Sequence, residues 1–204
     1  YYNLQVHSAY DLLNSTIKYE SLFLKLSRDN QKSVVIVDPN MYGAIKAHKE
    51  SKKSGINLIQ GLEVSLGYGI GFLKFNILCK SEKMFYKLLE ISTKFMNGEE
   101  WTIEDFSSEM KEYSEDFVLI VVDELRDSME FSYLNNLFSN YDFYFGFNES
   151  FQVSPYSFYE NVVYTKPSYY LNKENYQQVI VSRAIRDNKK LNIQGCSHLP
   201  HLNI

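Results

Sequence analysis

QVHSAYDLL (Gln5–Leu13) and VVIVDPNMYG (Val34–Gly43) are the two stretches that decide the fold. Each is a short apolar run that leads to a residue able to bind a metal ion, His7 in the first and Asp38 in the second. Each also has a poor metal ligand where a second ligand could stand, two residues before His7 and directly after Asp38. The pattern indicates buried strands with polar ends, and a metal site that has lost part of its ligands.

Similar apolar runs alternate with helix-like stretches along the rest of the chain. The predicted strands are 4–6, 33–37, 58–59, 64–66, 72–78, 117–122, 142–147 and 162–164. The predicted helices are 19–29, 43–54, 81–96, one that starts at 102, and 172–187. Repeated β-then-α units imply a mainly parallel sheet covered by helices. About seven such units predict an α/β fold, an irregular TIM-barrel-like (βα)7-type barrel.

Polar residues stand at or shortly after the ends of several of these predicted strands. His7, Asp38, Glu63 and Asp123 come after the strands 4–6, 33–37, 58–59 and 117–122. In parallel barrels the functional side chains collect at the carboxyl ends of the strands. The spacing therefore predicts that these four residues are the candidate site.

Composition excludes several classes of protein. The formal net charge is −4, so the chain as a whole does not attract DNA electrostatically. Two cysteines, Cys79 and Cys196, are too few for a disulfide framework and are typical of reduced cytoplasmic thiols. No signal peptide and no apolar run of about 18 residues is present, so no membrane partner is expected. The first residue is Tyr1, and we expect the sequence to be an excerpt of a longer protein.

Taken together, these motifs resemble the PHP (polymerase and histidinol phosphatase) domain at the start of bacterial DNA polymerase III alpha subunits. That family opens with H-x-H-S-x-Y-S-L-L-D-G, which 6–13 partly match, and continues with T-D-H-x-N-M-Y-G, which 38–44 partly match. Its G-x-E-V motif is matched by Gly61–Val64, and two later blocks resemble 78–80 and 170–173. Some of these blocks are short, and in this the sequence resembles the alpha-type polymerase of low-GC Gram-positive bacteria.

The resemblance implies a site of two or three metal ions held by about nine ligands, which activate water and neutralise a phosphate. His7, Asp38, Glu63 and Asp123 stand at or near ligand positions and are at most vestigial metal ligands. Other ligand positions carry Gln5, Pro39, Lys74, Pro167 and Tyr169. We therefore expect no catalytic residue and no cofactor in this segment, with Mg²⁺ serving the parent polymerase elsewhere. A single residual ion at His7, Asp38 and Glu63 stays open.

The resemblance implies a non-catalytic PHP domain of a replicative DNA polymerase III alpha-type subunit, with 1–190 as the domain and 191–204 as a tail toward the polymerase core. Its role would be that of a structural platform or partner-binding module in DNA replication. The expected partners are the polymerase core of the same chain, other replisome proteins, and DNA through the parent protein, which is itself a DNA-directed DNA polymerase. One alternative is a metal-dependent phosphoesterase, either a 3′–5′ exonuclease or a pyrophosphatase. Another is a stand-alone protein of the histidinol phosphatase kind.

Several weaker sequence features have two possible interpretations. Lys46, Lys49, Lys52 and Lys53 fall on one predicted helix, which is either a solvated face or a DNA-facing patch. The glycines between 67 and 71 are better explained by a hairpin turn than by a phosphate loop. His48 is expected at the surface, and His198 and His201 in a loop. The stretch Asn148–Tyr159 is irregular and shorter than in the family.

Overall fold

The computed structural model describes residues 3–125, 128–148 and 160–190. Its strands are β1 Ser33–Asp38, β2 Asn57–Tyr68, β3 Gly71–Cys79, β4 Phe117–Val121, β5 Asp142–Phe147 and β6 Val162–Tyr164. Its α-helices are α1 Tyr19–Arg28, α2 Ala44–Ser54, α3 Glu82–Met96, α4 Ile103–Glu109, α5 Ser128–Leu137 and α6 Tyr176–Arg186. The six strands are hydrogen-bonded in chain order. The stretch Asn148–Tyr159 (apart from residue 148), the tail 191–204, Cys196, His198 and His201 lie outside the described residues.

Two compact units divide these residues. The first contains the described residues up to Ile59 together with 166–190, and the second contains those from Gln60 to Thr165. No helix among the described residues is long and apolar enough to cross a membrane.

In the first unit, the amino-terminal segment is held between two other stretches of chain. Val6 forms parallel bridges with both Ile36 of β1 and Ser168. The amide of His7 donates to the Ser168 carbonyl at 3.0 Å, and the Ser168 amide donates to the Gln5 carbonyl at 2.9 Å. The predicted strand 4–6 is therefore present as a single bridge position, so the polar end at His7 is fixed on both sides.

Helices α1 and α2 pack against each other in the first unit. Helix α2 buries Ala44, Ala47 and Ser51, which lie on one face at intervals of three and four residues. It ends as predicted at Gly55, whose φ of 70° is the left-handed conformation that favours glycine. A side chain at Gly43 would collide with the Tyr19 hydroxyl and the Tyr10 ring, so only glycine fits this turn before α2.

The second unit contains a long antiparallel hairpin, as the glycines predicted. Strands β2 and β3 pair from Gly61↔Leu78 to Tyr68↔Gly71, and Gly69 at the turn has a φ of 58°. The predicted strands 58–59 and 64–66 are one continuous strand, β2. Strand β4 pairs antiparallel with β3, and the β4–β5 and β5–β6 pairs are parallel. The parallel character predicted from the repeated units is thus present in β4–β6 and in the bridges of Val6, whereas the β2–β3 and β3–β4 pairs are antiparallel.

Helix starts in the second unit follow the predicted caps. The Ser81 hydroxyl accepts the amide of Met84 at the start of α3, and Thr102 and Asp105 form a reciprocal capping box on α4. Helix α5 was not predicted. The core beneath these helices is aromatic, with Phe106, Phe117, Phe138 and Phe143 in edge or tilted ring contacts.

Candidate functional site

Asp38 is a buried carboxylate that the protein itself satisfies. One carboxylate oxygen accepts the backbone amide of Ser8 at 2.6 Å. The other accepts the Ser8 hydroxyl at 2.6 Å and the Tyr19 hydroxyl at 3.3 Å. Burial raises the pKa of the Asp38 carboxyl, although the two hydrogen bonds from Ser8 oppose that shift. Burial, with the nearby charge of Asp38, also raises the pKa of Tyr19, so Tyr19 stays a hydroxyl donor.

His7 lies next to this carboxylate cluster and is fully buried. Its Nδ1 is 3.1 Å from an Asp11 carboxylate oxygen, four residues along the chain. Its ring stacks on the ring of Tyr169, with the two centroids 4.7 Å apart. The Arg183 guanidinium lies over the same Tyr169 ring, 4.3 Å from its centroid. His7 is therefore held by a carboxylate, Asp11, and by an aromatic ring, Tyr169, of which only Asp11 is a usual metal ligand.

Glu63 and Asp123 are both engaged by Lys74 in the second unit. The Lys74 ammonium is 3.5 Å from a Glu63 carboxylate oxygen. The Lys74 backbone amide donates to Asp123 at 2.7 Å, and the Lys74 carbonyl accepts the amide of Val122 at 2.9 Å. Because an ammonium group carries its own positive charge, Lys74 opposes a metal cation beside Glu63 and partly neutralises that carboxylate itself.

Asn76 is a buried polar residue that sequence reasoning missed. It is fully buried on β3, pairs across the hairpin with Glu63, and pairs with Ile120 on β4. Within the described residues, neither its amide nitrogen nor its amide oxygen has a hydrogen-bond partner. The only signal in the sequence was an asparagine inside the apolar run Phe72–Leu78.

The four predicted site residues thus fall into two pairs. His7 and Asp38 lie together in the first unit, and Glu63 and Asp123 are linked through Lys74 in the second. Across residues 3–125, 128–148 and 160–190, no three His, Cys, Asp or Glu side chains form a group that could hold a metal ion. The donor set does not fit the family's metal cluster, because the retained carboxylates already accept bonds from the protein and a lysine ammonium stands at one ligand position. Sequence reasoning also missed Ser8 and Tyr19, the donors that hold Asp38.

Comparison with known proteins assigns the family. The sequence model of the PHP domain matches residues 3–129. The chain belongs to the PHP domain family. Curated relatives carry the name DNA polymerase III subunit alpha, which confirms the resemblance found in the motifs. Staphylococcus and Bacillus proteins are among them, as the short motifs predicted.

The relatives are much longer than this chain. The Staphylococcus epidermidis protein is 25% identical over 204 residues, which cover 94% of this chain and 17% of that protein. The Bacillus subtilis protein is 39% identical over 95 residues, which cover 45% of this chain and 8% of that protein. The chain therefore spans less than a fifth of the length of these relatives.

Solved structures show the same fold. An amidohydrolase from Chromobacterium violaceum, with bound sulfate and no metal, has a TM-score of 0.58 at 9% identity and covers 88% of this chain and 96% of its own. A structure from Bifidobacterium adolescentis, named as a metal-dependent phosphoesterase, has a TM-score of 0.51 at 8% identity and covers 92% and 84%. At such identities the match concerns the fold alone. The predicted class, an α/β fold of the TIM-barrel-like PHP type, is confirmed.

Proposed function

We propose that this chain is the non-catalytic PHP domain of a replicative DNA polymerase III alpha-type subunit, and that it acts as a structural platform or partner-binding module. The observation that carries the proposal is that the retained carboxylates already accept hydrogen bonds from the protein. Asp38 accepts bonds from Ser8 and Tyr19, and Asp123 accepts the backbone amide of Lys74. Asp38, whose hydrogen bonds are buried, would have to give them up before it could bind a metal, and each abandoned donor costs about 1–3 kcal/mol.

The proposal extends to the parent protein. The polymerase chemistry, with its Mg²⁺ ions, would lie outside this segment, which needs no cofactor of its own. The partners would be the polymerase core of the same chain and other replisome proteins, with DNA reached through the parent protein in the cytoplasm. The names of the longer relatives support this placement.

The direct experiment is a hydrolysis assay on the 204-residue chain. Purified chain is incubated with Mn²⁺ or Zn²⁺ and either pyrophosphate or single-stranded DNA, and released phosphate or shortened DNA is measured. We expect no turnover above that of a Glu63→Ala variant with the same melting temperature. Turnover that is present in the unchanged chain and lost in Glu63→Ala would refute the non-catalytic role.

A metal-dependent phosphoesterase is the second candidate. It is favoured by one of the solved structures with this fold, which carries that name, and by the retention of His7, Asp38, Glu63 and Asp123. The engaged carboxylates and the Lys74 ammonium argue against it. The same hydrolysis assay separates the two candidates, because only the phosphoesterase requires Glu63.

A structural role also has a positive test in the parent protein. Ile36→Ala, which opens a cavity in the buried β1, should lower the yield of soluble full-length polymerase. Glu63→Gln should leave both the yield and primer extension nearly unchanged. Loss of extension or fidelity in Glu63→Gln at normal stability would mean that this carboxylate has a direct role.

A further inference from the structure

Charge is distributed unevenly along this acidic chain. Residues 18–57 carry eight Lys and Arg against four Asp and Glu, whereas the rest of the chain carries thirteen against twenty-one. The stretch is therefore +4 and the remainder −8, which together give the net charge of −4. Asymmetry of this kind marks surfaces that bind polyanions, even in a protein whose total charge is negative.

The structure places four of these charges on the outer face of α2. The inner face of this helix is formed by Ala44, Ala47 and Ser51, which are buried. On the outer side, Lys46, Lys49, Lys52 and Lys53 are exposed, and we call these four lysines the basic face of α2. Helix α1 packs beside α2 and ends in Lys25 and Arg28.

Ion pairs within the protein neutralise only part of the basic face. Lys46 pairs with Glu20 at 2.8 Å, and Lys53 lies 3.7 Å from Glu50. Within the part of the chain that the structure describes, Lys49 and Lys52 make no ion pair. The centre of the basic face therefore carries two uncompensated charges.

Helix electrostatics does not account for the pattern. Cations stabilise the last turn of a helix, which explains Lys52 and Lys53, but they are unfavourable near the first turn. Lys46 is the third residue of α2, and Lys49 is in its middle. Two large apolar side chains near the start of α2, Tyr42 and Ile45, are also 64% and 70% exposed. An aromatic ring beside a line of cations is the combination on which nucleic-acid bases stack.

We propose that the basic face of α2 binds the phosphodiester backbone of nucleic acid, with Lys49 and Lys52 as phosphate contacts. The excess of positive charge on α2 is independent of the function proposed above. The choice of nucleic acid over other polyanions rests on that proposed function. Such contacts are independent of sequence and depend steeply on salt, because each neutralised phosphate releases bound counterions.

The test is a salt titration with the 204-residue chain. Binding of a fluorescent 20-nucleotide single strand and of the matching duplex is followed by anisotropy between 50 and 200 mM NaCl. The double variant Lys49→Gln with Lys52→Gln should reduce the slope of log K against log salt by about 2 on duplex, since each phosphate contact contributes about 0.9. At 50 mM salt the affinity should fall roughly tenfold or more. The relative strength of the two probes tells which form of nucleic acid the face prefers.

The matched control removes the same charge elsewhere. Lys111→Gln with Lys173→Gln changes two other exposed lysines and should leave both the slope and the affinity unchanged. Equal weakening in the control, or no binding of the unchanged chain at 50 mM salt, would overturn the proposal. So would equally strong, Lys49-dependent binding of poly-glutamate, which would make the partner an acidic protein. Failure of this test leaves the non-catalytic role intact, because that role is judged by phosphate release.

Discussion

Replacing Asp38 with alanine tests whether this carboxylate is a structural acceptor. The change removes the acceptor of the Ser8 amide, the Ser8 hydroxyl and the Tyr19 hydroxyl. The two hydroxyls lie 3.0 Å apart and can bond to each other, so the Ser8 amide and one hydroxyl lose their partners. At about 1–3 kcal/mol for each buried unsatisfied donor, offset in part by relief of the buried charge, the cost should be about 2–4 kcal/mol. For a chain of this length, that corresponds to a fall of about 5–15 °C in melting temperature.

Asp38→Asn is the matched control for that change. Asparagine keeps an oxygen for the Ser8 amide, and the hydroxyls can rotate to accept from its nitrogen, so the cost at neutral pH should stay below about 1.5 kcal/mol. Because burial raises the pKa of Asp38, the folded state holds its proton to a higher pH than the unfolded state does. The wild type therefore loses stability relative to Asp38→Asn as pH rises from about 4 through the raised folded pKa.

Melting of the three proteins at pH 4 and 7, with EDTA or with Mn²⁺ and Zn²⁺, decides the matter. A structural acceptor gives a large loss in Asp38→Ala, a small one in Asp38→Asn, and no dependence on metal. The reasoning is refuted if both variants cost the same and metal raises the melting temperature of the wild type alone.

Three further predictions concern packing and charges in the rest of the fold. Ile36→Ala and Ile120→Ala, at residues that are 0% and 2% exposed, should each lower the free energy of unfolding by about 2–5 kcal/mol in a urea titration. Asn76→Leu replaces a buried amide that has no partner in the described residues, so chemical denaturation should show unchanged or greater stability; a loss above about 2 kcal/mol would mean that the amide is satisfied in solution. The hydrogen bond from Lys87 lowers the pKa of Glu109, so this pair stabilises the fold above about pH 4.3 and the benefit disappears as pH falls through the lowered pKa. Glu109→Gln should therefore reduce the melting temperature at pH 7 and have no effect near pH 3, and a pH-independent loss would contradict this assignment.

Sequence reasoning located most elements because local signals agreed with tertiary packing. The β-branched run of β1, the glycine at the end of α2 and the capping box of α4 each combine a pattern with a defined end. Helix α5 was missed because its apolar residues do not form a clear stripe, and because the sequence signal of Asp127 followed three residues later by Glu130 was overlooked. The single strand β2 was divided in two because Gln60 and Gly61 interrupt its apolar run, and tertiary pairing with β3 overrides that local break.

The sequence nominated candidate site residues but did not reveal their arrangement or their chemistry. Spacing predicted that His7, Asp38 and Glu63 follow strands, whereas in the structure Asp38 is the last residue of β1 and Glu63 lies within β2. Spacing could not show that Ser8 and Tyr19 donate to Asp38, because they precede it in the chain by thirty and nineteen residues. Hydrogen bonds between residues distant in sequence depend on the folded backbone, and sequence periodicity does not encode them.

The double bridge of Val6 has a consequence for biosynthesis. Its pairing with Ile36 spans thirty residues, but its pairing with Ser168 must wait until the whole second unit has been made. At about 5–20 residues per second, the roughly one hundred residues between the two halves of the first unit take about 5–20 s to synthesise. During that interval the continuous second unit can form its own contacts, whereas the segment around Val6 has one bridge partner and not the other. In a nascent chain the segment around Val6 is therefore exposed to misfolding and to proteases until the Ser168 segment leaves the ribosome.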